Sequence, residues 1–384
     1  MTPTTAGFAF RVTARDGQAR RGVLTTPHGE VETPTFMPVG TQGSVKTLSP
    51  AEVAATGARV VLGNTYHLML RPGAETIARL GGLRGFTRWP HAMLTDSGGF
   101  QAFSLGAGGS GPSRVGATEE GFTFKSHLDG SMHLLTPEEA VRVQGLIGAD
   151  IQMQLDVCPA GDSPRDVVEA AVERTTRWAR RALAAPRPER QALFGIVQGA
   201  CFPDLRLRHA AAMGDLPFDG LALGGFSVGE PIERMRETLV EVVPALDPER
   251  PRYLMGVGTP ADLVAAIGAG VDMFDCVLPT RNARNGQALT RFGRVVVKQA
   301  RWHDDPRPID EECACPCCAG GYSRAYLRHL YLAGEILALR LLSQHNLHFY
   351  GELVAQARAA IDASDYVAWA RSFISAMEAP GGSA

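Results

Sequence analysis

The sequence has no stretch approaching the roughly 18 consecutive apolar residues that a membrane span needs. Its opening, Met-Thr-Pro-Thr-Thr-Ala-Gly, has no basic region followed by an apolar run. Neither a membrane partner nor a secretory leader is therefore expected, and the chain is read as cytoplasmic. An excess of either charge is lacking as well: 38 Lys and Arg against 40 Asp and Glu leave a net charge of -2. Any polyanion site must then come from local clustering, not from the total. Cysteine is scarce, 7 in 384 residues, and four of the seven crowd between Cys313 and Cys318. A secreted disulfide framework needs a shorter chain with cysteines spread along it, so metal binding explains the cluster better. No internal repeat or low-complexity linker divides the chain.

What is there is the composition of an ordinary globular protein, 45% hydrophobic and 20% charged, with enough apolar material for a large core. The first forty residues alternate short β-type runs with turn signals at Asp16-Gly17 and His28-Gly29, which predicts an N-terminal hairpin or small sheet. Eight buried-strand candidates follow, at Thr35–Val39, Val60–Leu62, Ala92–Thr95, Ile151–Leu155, Leu193–Val197, Leu221–Leu223, Tyr253–Met255 and Val271–Phe274. Most are separated by helical patterns whose hydroxyl caps precede proline, as at Ser49-Pro50, Thr136-Pro137 and Thr259-Pro260. Strand and helix in alternation imply a parallel sheet, and eight such units imply an α/β fold closed as a (β/α)8 TIM barrel. Residues 1–300 are assigned to this barrel with its N-terminal β elements, and residues 301–384 to a zinc-binding subdomain and C-terminal helix packed on it.

Two stretches break the rhythm. Phe100 to Leu135 holds a glycine-rich loop and a hairpin turning at Asp129-Gly130; Leu278 to Asp304 holds a second hairpin turning near Phe292-Gly293. Both follow strands, so both are expected to overhang the barrel mouth. The second carries Arg281, Arg284, Arg291, Arg294, Lys298 and Arg301 with no acidic residue between them, which by itself describes a solvated face. Beyond it, a helix is predicted from about Tyr322 with His345 on its last turn, then another from about Gly351 to Met377, then a frayed tail.

Cys313, Cys315 and Cys318 offer three thiolates within six residues, and His345 follows. Sulfur and imidazole in a set of four describe a tetrahedral zinc with no open position, hence a structural site. Cys317 is the spare thiol. An iron-sulfur cluster would want it as a fourth cysteine, but adjacent cysteines chelate one metal poorly.

Almost every strand candidate runs into a polar residue or a glycine, and in a (β/α)8 barrel those ends share one mouth. Asp96, Asp156 and Asp275 all sit there. Asp96 leads into the glycine-rich turn Ser97-Gly98-Gly99-Phe100-Gln101, a common turn type whose N–H groups can also meet a ligand carbonyl. Asp275 has apolar neighbours, among which an idle carboxylate would be costly. Carboxylates converging on one mouth suit chemistry at an acetal-like carbon, with one as nucleophile and another shuttling a proton. The pattern alone also allows a retaining glycosidase.

Taken together, Thr95 to Gln101, Phe274-Asp-Cys276 through Pro279-Thr-Arg-Asn-Ala-Arg-Asn-Gly286, the Cys-x-Cys-x2-Cys set and His345-Asn-Leu347 closely resemble the bacterial tRNA-guanine transglycosylases. The likeness runs from about Phe8 to Ala370. It implies exchange of guanine at the anticodon wobble position for 7-aminomethyl-7-deazaguanine (preQ1), a step towards queuosine, by double displacement through a covalent enzyme-RNA intermediate. By motif, Asp275 attacks the ribose C1′ and Asp96 moves the proton. Asp156, Gln198 and Gly225 match positions that bind the purine-like ring, with Ser97, Gly98, Gly99 and Phe100 as the adjoining wall. Thr280, Arg281, Asn282, Ala283 and Arg284 fall in the segment that reads the wobble base and its neighbours, and Gly256, Val257, Gly258, Thr259, Pro260 and Ala261 resemble a second RNA-contacting stretch. The resemblance further implies one structural Zn2+ per subunit, a tRNA anticodon stem-loop as partner, guanine and preQ1 as small molecules, and a homodimer.

Asn64 has two candidate jobs, orienting Asp96 or capping the helix that follows. Val157 stands where many relatives carry Glu, and Phe226 where Leu is usual. Rival readings are a queuine- or archaeosine-type base preference on the same scaffold, and a non-catalytic tRNA-binding subunit. Val228, where the queuine-using enzyme usually has glycine, the lack of room after Met377 for archaeal RNA-binding domains, and the retained aspartates weigh against them.

Overall fold

The computed structural model describes residues 5–106 and 117–378. Most of the glycine-rich loop expected after Phe100, and the tail from 379 to 384, lie outside the described residues. The opening residues pair into an antiparallel sheet of β1 (Ala9–Asp16), β2 (Ala19–Thr26) and β3 (Gly29–Thr33), turning where the two glycine signals stand. Next come β4 (Thr35–Gly40), β5 (Val60–Gly63) and β6 (Ala92–Thr95), followed by an inserted hairpin of β7 (Phe122–Lys125) and β8 (Met132–Leu135) around Asp129-Gly130. The series resumes with β9 (Ile151–Met153), β10 (Ala192–Val197), β11 (Gly220–Leu223), β12 (Arg252–Leu254) and β13 (Met273–Cys276), and a last hairpin joins β14 (Gln287–Thr290) to β15 (Gly293–Val296).

Eight of these strands close on themselves, all parallel, in the order β4-β5-β6-β9-β10-β11-β12-β13 and back to β4. This is the predicted (β/α)8 barrel. Apolar runs bounded by turn residues form such strands because both faces of a barrel strand are buried. One face fills the lumen with Met37, Leu62, Leu94, Met153, Ile196, Tyr253 and Met273; the other packs on the surrounding helices through residues such as Phe36, Val61, Leu193 and Leu254. Leu24 and Val31 of the N-terminal sheet, with Phe8 just before it, join the luminal cluster, so that sheet plugs one end and leaves the other open. The caps behave as read: Ser49 and Glu52 form a reciprocal capping box, and Thr136 and Thr259 each accept the backbone N–H three residues on.

Three expectations are corrected. β13 begins and ends two residues later than predicted, because its pairing with β4 continues through Asp275 and Cys276, so Asp275 is the strand's penultimate residue. Arg281 and Arg284 are not on a hairpin: Leu278–Arg284 is a short helix, and the hairpin starts only at Gln287. Finally, His345 is not on a last turn. One helix, Ile336–Asp362, runs through it, preceded by Arg324–Leu332 and followed by Tyr366–Glu378. Gly334 at φ +76° stops the first helix; Gly351 does not interrupt the second, because a Cβ there would lie 2.3 Å from the Thr56 carbonyl oxygen and glycine is what lets the helix dock so closely.

The long helix and the β14–β15 hairpin share a separate apolar cluster that includes Ala283, Ala288, Val295, Trp302, Cys315, Cys317, Leu327 and Leu342. No helix among the described residues is long and apolar enough to cross a membrane.

Candidate active site

A cavity of about 340 Å³ opens at the C-terminal ends of the barrel strands, and Asp96, Asp156 and Asp275 all line it. The topology explains the convergence: the three follow or end β6, β9 and β13, which are far apart in sequence and close around the mouth.

Asp96 keeps a face on the cavity while protein surrounds the rest of it. Thr65 N–H donates to its Oδ1 at 2.8 Å and Asn64 Nδ2 to its Oδ2 at 2.5 Å. Asn64 holds both of its candidate jobs, since its Oδ1 caps the next helix by accepting His67 N–H at 3.1 Å. Burial, reinforced by the nearby charge of Asp275 and opposed by the Thr65 and Asn64 hydrogen bonds, pushes the Asp96 carboxyl up to about 7. At neutral pH it is poised between giving and taking a proton.

Asp275 is held differently. Tyr253 Oη donates to its Oδ1 at 2.6 Å and Gly256 N–H to the same oxygen at 2.8 Å. Oδ2 has no hydrogen-bond partner among the described residues. Burial raises this carboxyl above the ordinary range, while the Tyr253 and Gly256 bonds favour its ionised form.

Asp156 is nearly fully buried and accepts from Gln198 Nε2 at 2.6 Å; burial lifts it to about 6, which leaves it mostly ionised at neutral pH. Gln198 Oε1 is buried with no partner among the described residues. Gly225 closes this end of the cavity at φ +68°, where a Cβ would stand 2.3 Å from Gln198 Oε1, so a side chain is excluded on two grounds. Ser97 and Gly98 line the cavity, with Ser97 Oγ accepting Gly99 N–H at 3.3 Å, and Phe100 stands exposed at the rim. Phe226 and Val228 complete the wall beside Gly225.

The basic segment divides. Arg291 is tied to Asp310 and Glu312, and Arg301 lies over the Trp302 ring. Arg281 is exposed on the short helix after Asp275, and Arg284 is half-exposed with its Nε on the Thr280 carbonyl. Of the other residues in the two predicted RNA segments, Val257, Gly258, Pro260, Thr280 and Ala283 are buried; Gly256 is exposed at the cavity, and Thr259, Ala261 and Asn282 are half-exposed.

Beyond the mouth, Cys313, Cys315, Cys318 and His345 converge with all ligand atoms within 4.8 Å of one another. The three Sγ atoms lie 3.6, 3.3 and 3.4 Å from His345 Nδ1. A tetrahedral zinc with ordinary bond lengths would set sulfur and nitrogen about 3.5 Å apart, so the set of four fits that metal. The His345 Nε2 edge faces the Leu289 carbonyl at 2.7 Å, which fixes Nδ1 as the metal-facing nitrogen. Cys317 is fully buried in the apolar cluster and stands outside the set.

Sequence reasoning missed Tyr253, the tether of Asp275, and two buried residues of the helix Pro203–Gly214, Arg206 and His209. The last accepts Gln198 N–H on its Nδ1 at 2.8 Å. Arg206 and His209 carry no local signal, because a polar residue in a helical pattern reads as solvent-facing until its neighbours are known, and Tyr253 reads only as part of a buried strand.

A family model described as Queuine tRNA-ribosyltransferase matches residues 16–379. Among curated relatives, a queuine tRNA-ribosyltransferase of Sorangium cellulosum is 68% identical over 375 residues, which cover 98% of this chain and 93% of the relative. Those of Novosphingobium aromaticivorans and Nitratidesulfovibrio vulgaris are each 52% identical, covering 95% and 96% of this chain and 97% of each relative.

Proposed function

The chain belongs to the queuine tRNA-ribosyltransferase family, and from that premise we propose how its tRNA-guanine transglycosylation proceeds in queuosine synthesis. The exchanged guanine is that at the wobble position of tRNAs with G-U-N anticodons, those for Asp, Asn, His and Tyr, and the incoming base is preQ1. The observation that carries this reading is the unequal setting of two carboxylates in one cavity: Asp275 anchored, among the described residues, through one oxygen only, and Asp96 titrating near neutrality.

Asp275 Oδ2 attacks C1′ of the ribose as the bond from C1′ to the guanine nitrogen breaks, and protonated Asp96 delivers a proton to the leaving base. The resulting glycosyl ester conserves the energy of the broken bond, so no ATP is required. The incoming deazaguanine loses its ring N–H proton to Asp96 and attacks C1′, which frees the Asp275 carboxylate. Tyr253 and Gly256 hold Oδ1 throughout, first as part of a carboxylate and then as the ester carbonyl. Asp156 and the Gln198 amide meet the donor edge of the base, Gly225 N–H meets its ring carbonyl, and Ser97 to Phe100 form the adjoining wall.

Arg281 and Arg284 hold the anticodon loop, with exposed Gly256 and half-exposed Thr259, Ala261 and Asn282 beside it; single-stranded bases can be splayed out and read on their edges. Val228 narrows the wall where the larger queuine ring would extend, which favours preQ1. Cys313, Cys315, Cys318 and His345 hold one structural Zn2+ that takes no part in the chemistry, and a homodimer belongs to the same reading. The barrel of residues 1–300 and the zinc-binding part of residues 301–384 form its two working units.

In the test, Asp275→Asn folds and binds tRNA but forms no denaturation-resistant adduct with it. An undiminished adduct would remove Asp275 from the nucleophile's role. Labelled guanine should enter G-U-N tRNAs alone and be outcompeted by preQ1; equal labelling of other tRNAs would sink the specificity.

A further inference from the structure

The helix Pro203–Gly214 delivers a buried cation to the underside of the base-binding wall. Arg206 is fully buried, and among the described residues no carboxylate pairs with it. Its guanidinium is caged by carbonyls: Nε donates to Ala200 O at 2.5 Å, Nη1 to Val197 O at 3.3 Å, and Nη2 to Gly224 O at 2.8 Å and Gly225 O at 3.3 Å. The guanidinium carbon lies 3.7 Å from the centre of the Phe226 ring. Burial pushes this group down to about 9, so it stays charged at neutral pH. An unpaired buried charge is costly, and a chain that needed only packing here would fill the space with an apolar side chain.

The Gly224 carbonyl and the Gly225 N–H are the two ends of one peptide group. Arg206 grips the oxygen, and the N–H, on a residue that lines the cavity, has no partner among the described residues. A cation on the carbonyl draws electron density through the peptide and strengthens the N–H as a donor. We propose that Arg206 is a positioning residue that polarises the Gly224–Gly225 peptide, so that the Gly225 N–H selects bases carrying a ring carbonyl and steadies that carbonyl as the base departs. This rests on the base-exchange reading above: a 6-oxopurine presents donors to Asp156 and an acceptor beside them, and an N–H can answer only the acceptor. When the glycosidic bond breaks, its electrons spread onto the ring and the carbonyl oxygen, so a sharpened donor there acts most strongly on the departing base. Phe226, stacked on the same guanidinium, holds the wall in register but is not the source of the selection.

Guanine and 2-aminopurine, which lacks the carbonyl, separate this role from packing. Both are titrated as competitors of labelled-guanine exchange with wild-type protein, Arg206→Met, Arg206→Lys and Phe226→Leu. Arg206→Met should bind guanine about tenfold more weakly with 2-aminopurine unchanged, Arg206→Lys should recover part of the loss, and Phe226→Leu should keep the wild-type preference. If Arg206→Met does not fold, a loss in Arg206→Lys confined to guanine supports the role. Equal losses for both bases, or no loss for guanine, overturn it while leaving the exchange reading intact. Wild-type protein that incorporates no guanine into any tRNA overturns both.

Discussion

Replacing Asp96 by Asn should make the protein more stable at alkaline pH while removing its activity. The carboxyl titrates at about 7 in the fold against an ordinary value of 3.8. An unfolded chain ionises it near the lower value. The native state therefore has this group's full support only below about 3.8, and loses that support progressively as the pH rises through about 7. The loss runs at about 1.4 kcal/mol per pH decade between the two values, reaches about 4 kcal/mol by pH 8, and accrues about 2 kcal/mol of that between pH 5.5 and pH 8.

Asparagine removes the titration and keeps the shape. It still offers an oxygen to Thr65 N–H, but its own NH2 now faces the NH2 of Asn64, which cannot flip without losing the cap on His67 N–H. That opposition costs about 1–2 kcal/mol. Asp96→Asn should thus be near parity with wild type at pH 5.5 and about 2 kcal/mol more stable at pH 8, by urea unfolding with the metal kept in place. Base exchange by the same variant should fall roughly a hundredfold or more, the ordinary range for a lost acid-base group. A stability difference that stays constant between the two pH values would refute the assignment of a near-neutral Asp96.

Removing the metal with a chelator should loosen the β14–β15 hairpin, because His345 and Asn346 bond to opposite sides of Leu289. Amide exchange should rise over Gln287–Val296 and in Cys313–Ala319 and leave the barrel strands protected. Cys318→Ser should lower the bound metal and Cys317→Ser should not; equal loss in both would bring the spare thiol into the ligand set. Replacing Arg281 and Arg284 together with Ala should weaken tRNA binding and reduce its salt dependence by about one unit of log-log slope for each phosphate left without its arginine. An unchanged slope would mean that these arginines touch bases or no RNA at all.

The barrel was legible because its strands are short, apolar on both faces and closed off by glycine or aspartate, and because hydroxyl caps before proline mark the intervening helices. The metal set was legible because ligand chemistry is local in sequence for three of its four members. What sequence concealed depends on distant contacts. The unbroken helix through Gly351 follows from the Thr56 carbonyl nearly three hundred positions earlier. Arg281 and Arg284 read as hairpin residues because the helix that carries them is only seven residues long. Arg206 looks like a surface position until its helix packs on the barrel, and Tyr253 reads as a buried strand residue with nothing to show that its hydroxyl meets Asp275.

The division of labour proposed for the two aspartates matches how parallel strands meet at the mouth. Each carboxylate takes its hydrogen bonds from the end of the strand before it in the barrel: Asn64 and Thr65 follow β5 and serve Asp96 on β6's side, while Tyr253 and Gly256 belong to the end of β12 and serve Asp275 on β13. The donors reach both oxygens of Asp96 and one oxygen of Asp275. An attack by Asp96 would have to weaken a bond from Asn64 or Thr65, whereas Asp275 can attack through Oδ2 with both donors still in place on Oδ1. Exchanging the two proposed roles would therefore cost hydrogen bonds at the transition state, and the same pairing that closes the barrel favours Asp275 for the ester and Asp96 for the proton.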